Sequence, residues 1–157
     1  IYIVSEDSFG KLVQSNNALK ENLKVHLNRY RMINDTVDIL DAKIINLGIE
    51  FIAVANLEAN KFDVLTDAVE ELTSFYNRKL DVGEPFSITE VYSRLNKLDG
   101  IVDVSRVKIV QKTGLNYSDQ AFNIDNSYSD DGRYLIAPDN VIFEIKFPSN
   151  DIKGTIK

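Results

Sequence analysis

Gly83 to Val104, reading GEPFSITEVYSRLNKLDGIVDV, constrains the fold more tightly than any other stretch of the chain. Ser87 and Glu90 have the S-x-x-E spacing of a capping box, in which each side chain satisfies an otherwise orphaned backbone N–H. Phe86 just before the cap and Val91 at the fourth helical position are spaced as a hydrophobic staple. Ile88, Val91, Tyr92, Leu95 and Leu98 then share one helical face, and Gly100 offers a left-handed stop. Val102 and Val104 open a period-2 pattern directly afterwards. The stretch predicts a turn, a short amphipathic helix, a glycine stop and a strand. It holds no general base, nucleophile or metal-ligand cluster, so it speaks for architecture more than for chemistry.

The strongest strand signal is Ala42 to Leu57. Leu47, Ile49, Phe51, Ala53 and Ala55 share one face, with Asn46, Gly48 and Glu50 on the other. Ile52 and Val54 interrupt the polar face, which predicts that the far end of the strand is covered on both sides. Asn60 with Asp63 is a weaker cap signature. Leu65, Ala68, Val69, Leu72, Phe75 and Tyr76 follow as a helix of about four to five turns, expected to stop near Leu80. Acidic residues favour its start and Arg78 and Lys79 its end, as the helix dipole prefers. In Ile101 to Lys112, Val102 and Val104 alternate and Val107 and Ile109 alternate in the opposite phase, so a bulge is expected near Ser105-Arg106. Val141, Phe143, Ile145 and Phe147 read as a half-buried strand closed by Pro148.

Ahead of these, Ile1 to Val4 is short, apolar and β-branched and leads into a polar turn through Gly10. Asn16 or Asn17 can cap a helix on which Leu19, Leu23, Leu27, Tyr30 and Ile33 recur, broken at Asn34-Asp35. Thr36 to Leu40 is a short strand candidate with Val37 and Ile39 on one face. The expected fold class is α+β, with small mixed or antiparallel sheets packed against amphipathic helices in two β-α-β-like subdomains. Residues 1–41 form the first. Residues 42–157 form the second, a β-α-α-β-β arrangement carrying a long loop over 113–140. The first residue is Ile1 and not Met, so the chain is expected to begin inside a longer polypeptide.

Charge and residue types narrow the function. A net charge of −6 argues against sequence-independent nucleic-acid binding, and Lys24, Arg29 and Arg31 read as a solvated helix face. No apolar run is long enough to cross a bilayer. The chain has no cysteine, which removes thiolate chemistry and disulfides. The single histidine, His26, has no acidic partner at helical spacing and reads as structural or surface. Asp125, Asp130 and Asp131, with Asn123, Asn126 and Gly132, miss the spacing of a calcium loop. Glu70-Glu71 and Asp130-Asp131 are sequence neighbours whose side chains diverge, unlike a hydrolytic acid pair. The glycines occur singly, so neither a dinucleotide fingerprint nor a P-loop is present. The reading is a non-enzyme without cofactor, metal or small-molecule substrate. A loop as long as 113–140 inside a compact domain is functional or disordered, and its aromatics favour function. Tyr117, Phe122, Tyr128, Arg133 and Tyr134 are the candidate interface, because Tyr and Arg combine contact area with a polar end. The competing reading has them fold back onto their own domain.

Gly83-Glu84-Pro85-Phe86-Ser87 leading to Val91-Tyr92-Ser93, followed by Leu98-Asp99-Gly100-Ile101-Val102-Asp103-Val104, resembles the C-terminal region of baseplate J-like proteins. Tyr2-Ile3-Val4, Leu27-Asn28-Arg29-Tyr30-Arg31-Met32 and Asp41-Ala42-Lys43-Ile44-Ile45-Asn46 look closer still to one branch, the baseplate wedge protein of large contractile-tailed phages. Asp131-Gly132-Arg133-Tyr134, Ala137-Pro138-Asp139-Asn140 and Phe143-Glu144-Ile145-Lys146 also look like the tail of that subunit. The resemblance covers essentially the whole chain and rests on the order of short motifs. It implies a structural role in the virion tail baseplate, assembled in the host cytoplasm. The partners would be a second copy, as a homodimer and in ring contacts, and other wedge subunits. No catalytic residues are implied. The chain departs from shorter relatives in its 113–140 insertion. The alternative is a small-molecule-sensing regulatory α+β domain; a cell-wall glycan hydrolase is a remoter third, lacking a convergent carboxylate pair.

Overall fold

Thirteen consecutive residues, Lys43–Ala55, form the strand on which the rest of the molecule is assembled. The computed structural model describes all residues, 1–157. In chain order it contains β1 (Tyr2–Ile3), β2 (Ser5–Glu6), β3 (Leu12–Val13), α1 (Asn17–Asn28), β4 (Leu40–Asp41) and the long strand, β5 (Lys43–Ala55). Then come α2 (Lys61–Phe75), β6 (Phe86–Ser87), α3 (Ile88–Leu95), β7 (Ile101–Gln111), β8 (Tyr134–Leu135), β9 (Val141–Glu144), α4 (Pro148–Asp151) and β10 (Ile152–Ile156). The fold is α+β, built from small mixed and antiparallel sheets and four helices.

β7 runs antiparallel along one edge of β5. Along the other edge β9 pairs in parallel with Lys43 to Asn46, and β10 continues in parallel with Ile49 to Ala53. Main-chain parity fixes the two edges. Asn46 accepts from the Lys112 N–H on the β7 side, whereas Lys43 donates to Asn140 and Ala53 accepts from Lys157 on the side of β9 and β10. The bulge expected in β7 is present: Arg106 faces Ile52 and Val104 faces Ala53, leaving Ser105 as the extra residue. A second irregularity skips Val102.

The odd-numbered face of β5 is buried from Ile45 to Ala55 and meets Ala68 and Leu72 of α2 and Ile88, Val91 and Leu95 of α3 in a single core. Coverage of the second face is reversed from expectation. The near end is closed on both sides, with Ile44, Asn46 and Gly48 buried, whereas Ile52 and Val54 at the far end are only half-buried. The cause lies in distant segments. Leu12 and Ile142 pack with Ala42 and Ile44, and the loop N–H of Ser118 donates to the Asn46 side chain at 2.7 Å.

Caps read from sequence hold locally. The side chains of Asn16 and Asn60 accept from the N–H groups of Ala18 and Phe62, and Ser87 Oγ accepts from the Glu90 N–H at 3.2 Å. The reciprocal half of the Ser87 capping box does not form. Glu90 lies instead 3.0 Å from Arg94 Nε, an ion pair too bent to count as a hydrogen bond. The N–H groups of Ile88 and Thr89 donate to the carbonyl of Arg133 at 2.9 and 3.3 Å. A residue of the long loop thus finishes the start of α3.

Several boundaries differ from expectation. α1 ends at Asn28, short of Tyr30 and Ile33, because no neighbour buries that face; the chain then turns at Asn34, whose φ is 82°. Thr36 to Ile39 is not a strand, since β1 offers only two residues of pairing, to Leu40 and Asp41. α2 ends at Phe75 and not near Leu80; Tyr76 leaves the helix and stacks on Phe86, ring centroids 5.0 Å apart. α3 stops before Leu98, and Gly100, at φ +89°, turns the chain into β7. Pro148 does not close a strand: β9 ends at Glu144, and Pro148 opens α4, which feeds the unanticipated β10. Residues 113–140 are not structureless. They contain a 3-10 turn at Asp125–Ser127 and β8, whose Leu135 faces Phe86.

Candidate interaction surface

The five loop residues singled out by sequence divide into two groups. Tyr117 folds inward. Its hydroxyl donates to Asp151 Oδ1 at 2.6 Å, and its ring meets Phe147 edge-on at 5.6 Å. Asp151 is buried and also accepts the Phe147 N–H, at 2.8 Å. The hydrogen bond to Asp151, with some burial, pushes the Tyr117 phenol up to about 12. Phe122 packs edge-on against Phe143 at 5.5 Å, while the Gln111 amide accepts the Phe122 N–H and donates to the Gln120 carbonyl. Tyr128 bridges to Leu135 and packs on the main core, and burial pushes its hydroxyl up. These three side chains attach the loop to its own domain.

Arg133 and Tyr134 stay exposed, at the end of a tight turn. Asp131 organises that turn: Oδ1 accepts the Ser129 hydroxyl at 2.6 Å and the Arg133 N–H at 3.1 Å. These bonds, the Ser129 hydroxyl foremost, hold the Asp131 carboxyl below the usual range. Asp131 thus serves turn geometry, and no group of three or more metal-ligating side chains converges anywhere in the chain.

A larger exposed apolar surface lies at the other end of the sequence. Within residues 1–41 only Leu12 and Ser15 are buried. α1 has no buried residue, although its Leu23 and Leu27 are half-covered. It is tethered through Lys20 to Asp41 of β4 at 2.7 Å and more loosely through Lys24 to Asp38 at 3.8 Å. Past its end Tyr30, Met32 and Ile33 are 75, 78 and 94% exposed. Leu19, Val25 and Leu40 are also exposed on this lobe. His26 stands on the helix surface, its ring 5.3 Å from that of Tyr30. Exposed apolar surface concentrated in one region marks an interaction site more often than scattered single residues do. Helical spacing puts Leu19, Leu23, Leu27, Tyr30 and Ile33 on one face, but spacing does not say what covers it. The available hint was that no strand pattern nearby was long enough to receive it.

A cleft of about 250 Å³ is lined by Phe9 to Leu12, Tyr76 to Leu80 and Phe143 to Ile145 with Pro148. Its cations are engaged: Lys79 with Glu6, and Arg78 with Glu84 at 3.1 Å. Lys11 donates to the Lys146 carbonyl. No helix is long and apolar enough to cross a membrane. A scan against protein-family models gives no match, and a search of curated proteins gives none either.

Proposed function

We propose that this chain is a structural component of a contractile phage tail baseplate wedge, joining wedges into the inner ring through protein–protein contacts. One observation carries the reading: the first 41 residues bury only Leu12 and Ser15 and leave α1, Tyr30, Met32 and Ile33 uncovered. A β-α-β lobe with that little interior gains stability by burying apolar side chains against another subunit, at about 25 cal/mol per Å². The order of motifs shared with baseplate wedge proteins supplies the identity of the partners: a second copy and neighbouring wedge subunits. The metabolite-sensing alternative has less in its favour, because Arg78 and Lys79 of the cleft are ion-paired and Lys11 is hydrogen-bonded to the Lys146 carbonyl.

The test is light scattering on the chain across a concentration series, paired with pull-down of other baseplate wedge subunits. Self-association, as a dimer, is expected. Replacing Tyr30, Met32 and Ile33 together by Ser should abolish it while leaving the melting temperature of the monomer unchanged, since these side chains are exposed. A strict monomer at high concentration that captures no wedge subunit would sink the proposal.

A further inference from the structure

The sheet formed by β10, β5 and β7 has α2 and α3 on one face only. Its second face is closed as far as Gly48, where an added Cβ would meet the Lys112 side chain and the Asp151 carbonyl. Beyond that point the face is open. Pairing register sets out what stands there. Lys108 of β7 and Lys153 of β10 flank Glu50, and in the next row Arg106 and Thr155 flank Ile52. Lys157 continues β10: it donates to the Ala53 carbonyl at 2.9 Å and accepts from the Ala55 N–H at 3.1 Å, which puts it beside Val54. Arg106, Lys108, Lys153 and Lys157 are all exposed, and none forms an ion pair. Four cations outside any ion pair, against the two carboxylates of Glu50 and Asp103, leave this face net positive in a chain whose net charge is −6. Between them runs a half-buried apolar stripe, Ile52 and Val54.

We infer that this open face docks an acidic amphipathic helix of a partner protein. Adjacent strands lie about 4.8 Å apart, so the cations on β7 and β10 form rows about 10 Å apart. A helix with its side chains is about 10–12 Å across. Laid along β5, such a helix puts its apolar seam on Ile52 and Val54 and a row of carboxylates against each cationic flank. The contact completes the sandwich that buries both faces of a sheet. Phosphate polymers and anionic membranes fit less well. Glu50 and Asp103 sit within the face, and its centre is apolar. None of these residues belongs to the N-terminal lobe, so the inference stands apart from the proposed function.

The probe is a fluorescein-labelled helical peptide of about 18 residues, with leucines at i, i+3, i+4 and i+7 and glutamates on both flanks. A matched peptide carries lysines in place of the glutamates. Fluorescence anisotropy with the full chain should show binding of the Glu peptide only, weakening steadily as salt rises from about 0.05 to about 0.5 M. Lys108→Glu with Lys153→Glu should weaken it by about tenfold or more. Should that pair unfold the protein, Lys108→Gln with Lys153→Gln, checked by thermal melting, should still weaken it by about threefold. The Tyr30, Met32 and Ile33 serine variant should bind the peptide normally, so failure of one site is distinguishable from failure of the other. The inference is overturned by absence of Glu-peptide binding, by equal binding of the two peptides or of the variants, or by tighter binding of duplex DNA or phosphatidylserine vesicles.

Discussion

Replacing Tyr117 by Phe tests whether residues 113–140 are a folded part of the domain or an arm. The substitution removes one oxygen. In the native protein that hydroxyl donates to Asp151 Oδ1 at 2.6 Å, and Asp151 is 1% exposed. Its other oxygen keeps the Phe147 N–H. A hydrogen bond to a charged group contributes about 1.5–3 kcal/mol, and the buried carboxylate is left short of one partner. Tyr117→Phe should therefore lower the unfolding free energy by about 1.5–3 kcal/mol, which for a chain of this size is a fall in Tm of about 3–12 °C. Urea denaturation followed by circular dichroism measures it, and a double-mutant cycle isolates the pair. With Asp151→Ala already present, the same Tyr117→Phe change should cost less than about 0.5 kcal/mol. An equal cost in both backgrounds refutes the reasoning. The pH dependence gives a second check. The folded phenol is raised to about 12 from an ordinary value near 10. The stabilising increment is therefore fully present below about pH 10 and lost as the pH climbs through about 12. The wild type should lose more stability over that window than the Phe variant does.

Other consequences follow from the packing. A Cβ on Gly154 would strike the Phe51 ring and sit 2.7 Å from Leu65 Cδ1, so Gly154→Ala should destabilise by about 1–3 kcal/mol by thermal melting. Leu135 is fully buried against Phe86 although it lies in a stretch rich in Asp, Ser and Gly; Leu135→Ala should cost about 2–5 kcal/mol in urea, and a cost below about 1 kcal/mol would mean that the loop does not pack as described. Asp131 should titrate below the ordinary carboxylate range by carbon-detected NMR. Its small contribution to turn stability is present above the unfolded value and lost as the pH falls through the folded one, and Ser129→Ala should move the carboxyl back up.

Features whose partners lie within a few residues could be read from the sequence. Asn16, Asn60 and Ser87 each accept an N–H two or three residues ahead, so residue type and spacing were enough. The odd-numbered core face of β5 and the bulge at Ser105 follow from side-chain period alone, since a change of phase within one strand requires an extra residue. The candidate loop residues were recognisable by type but not by orientation. Tyr117, Phe122 and Tyr128 point inward only because Asp151, Phe143 and Leu135 are brought to them, and Arg133 and Tyr134 stay outside for want of such neighbours.

The tertiary structure alone decided what depends on contacts between distant residues. β10 is only five residues long and has Lys153 and Gly154 among its β-branched Ile152, Thr155 and Ile156; it pairs along β5 because the α4 turn delivers it there. The Arg133 carbonyl accepts the first two N–H groups of α3, those of Ile88 and Thr89, from 40-odd residues further along the chain, because β8 docks on β6 directly ahead of α3. Which end of β5 is covered on both faces was settled by Leu12, Ile142 and Ser118 arriving from elsewhere. Period and capping are properties of a segment, set by backbone geometry; coverage of a face is a property of its neighbours, set by loop closure and packing. The same distinction explains the two surfaces argued above. The apolar residues of α1 and the cations of β7 and β10 are plain in the sequence, but only the assembled fold leaves the first without a core and lines the second up on one open face.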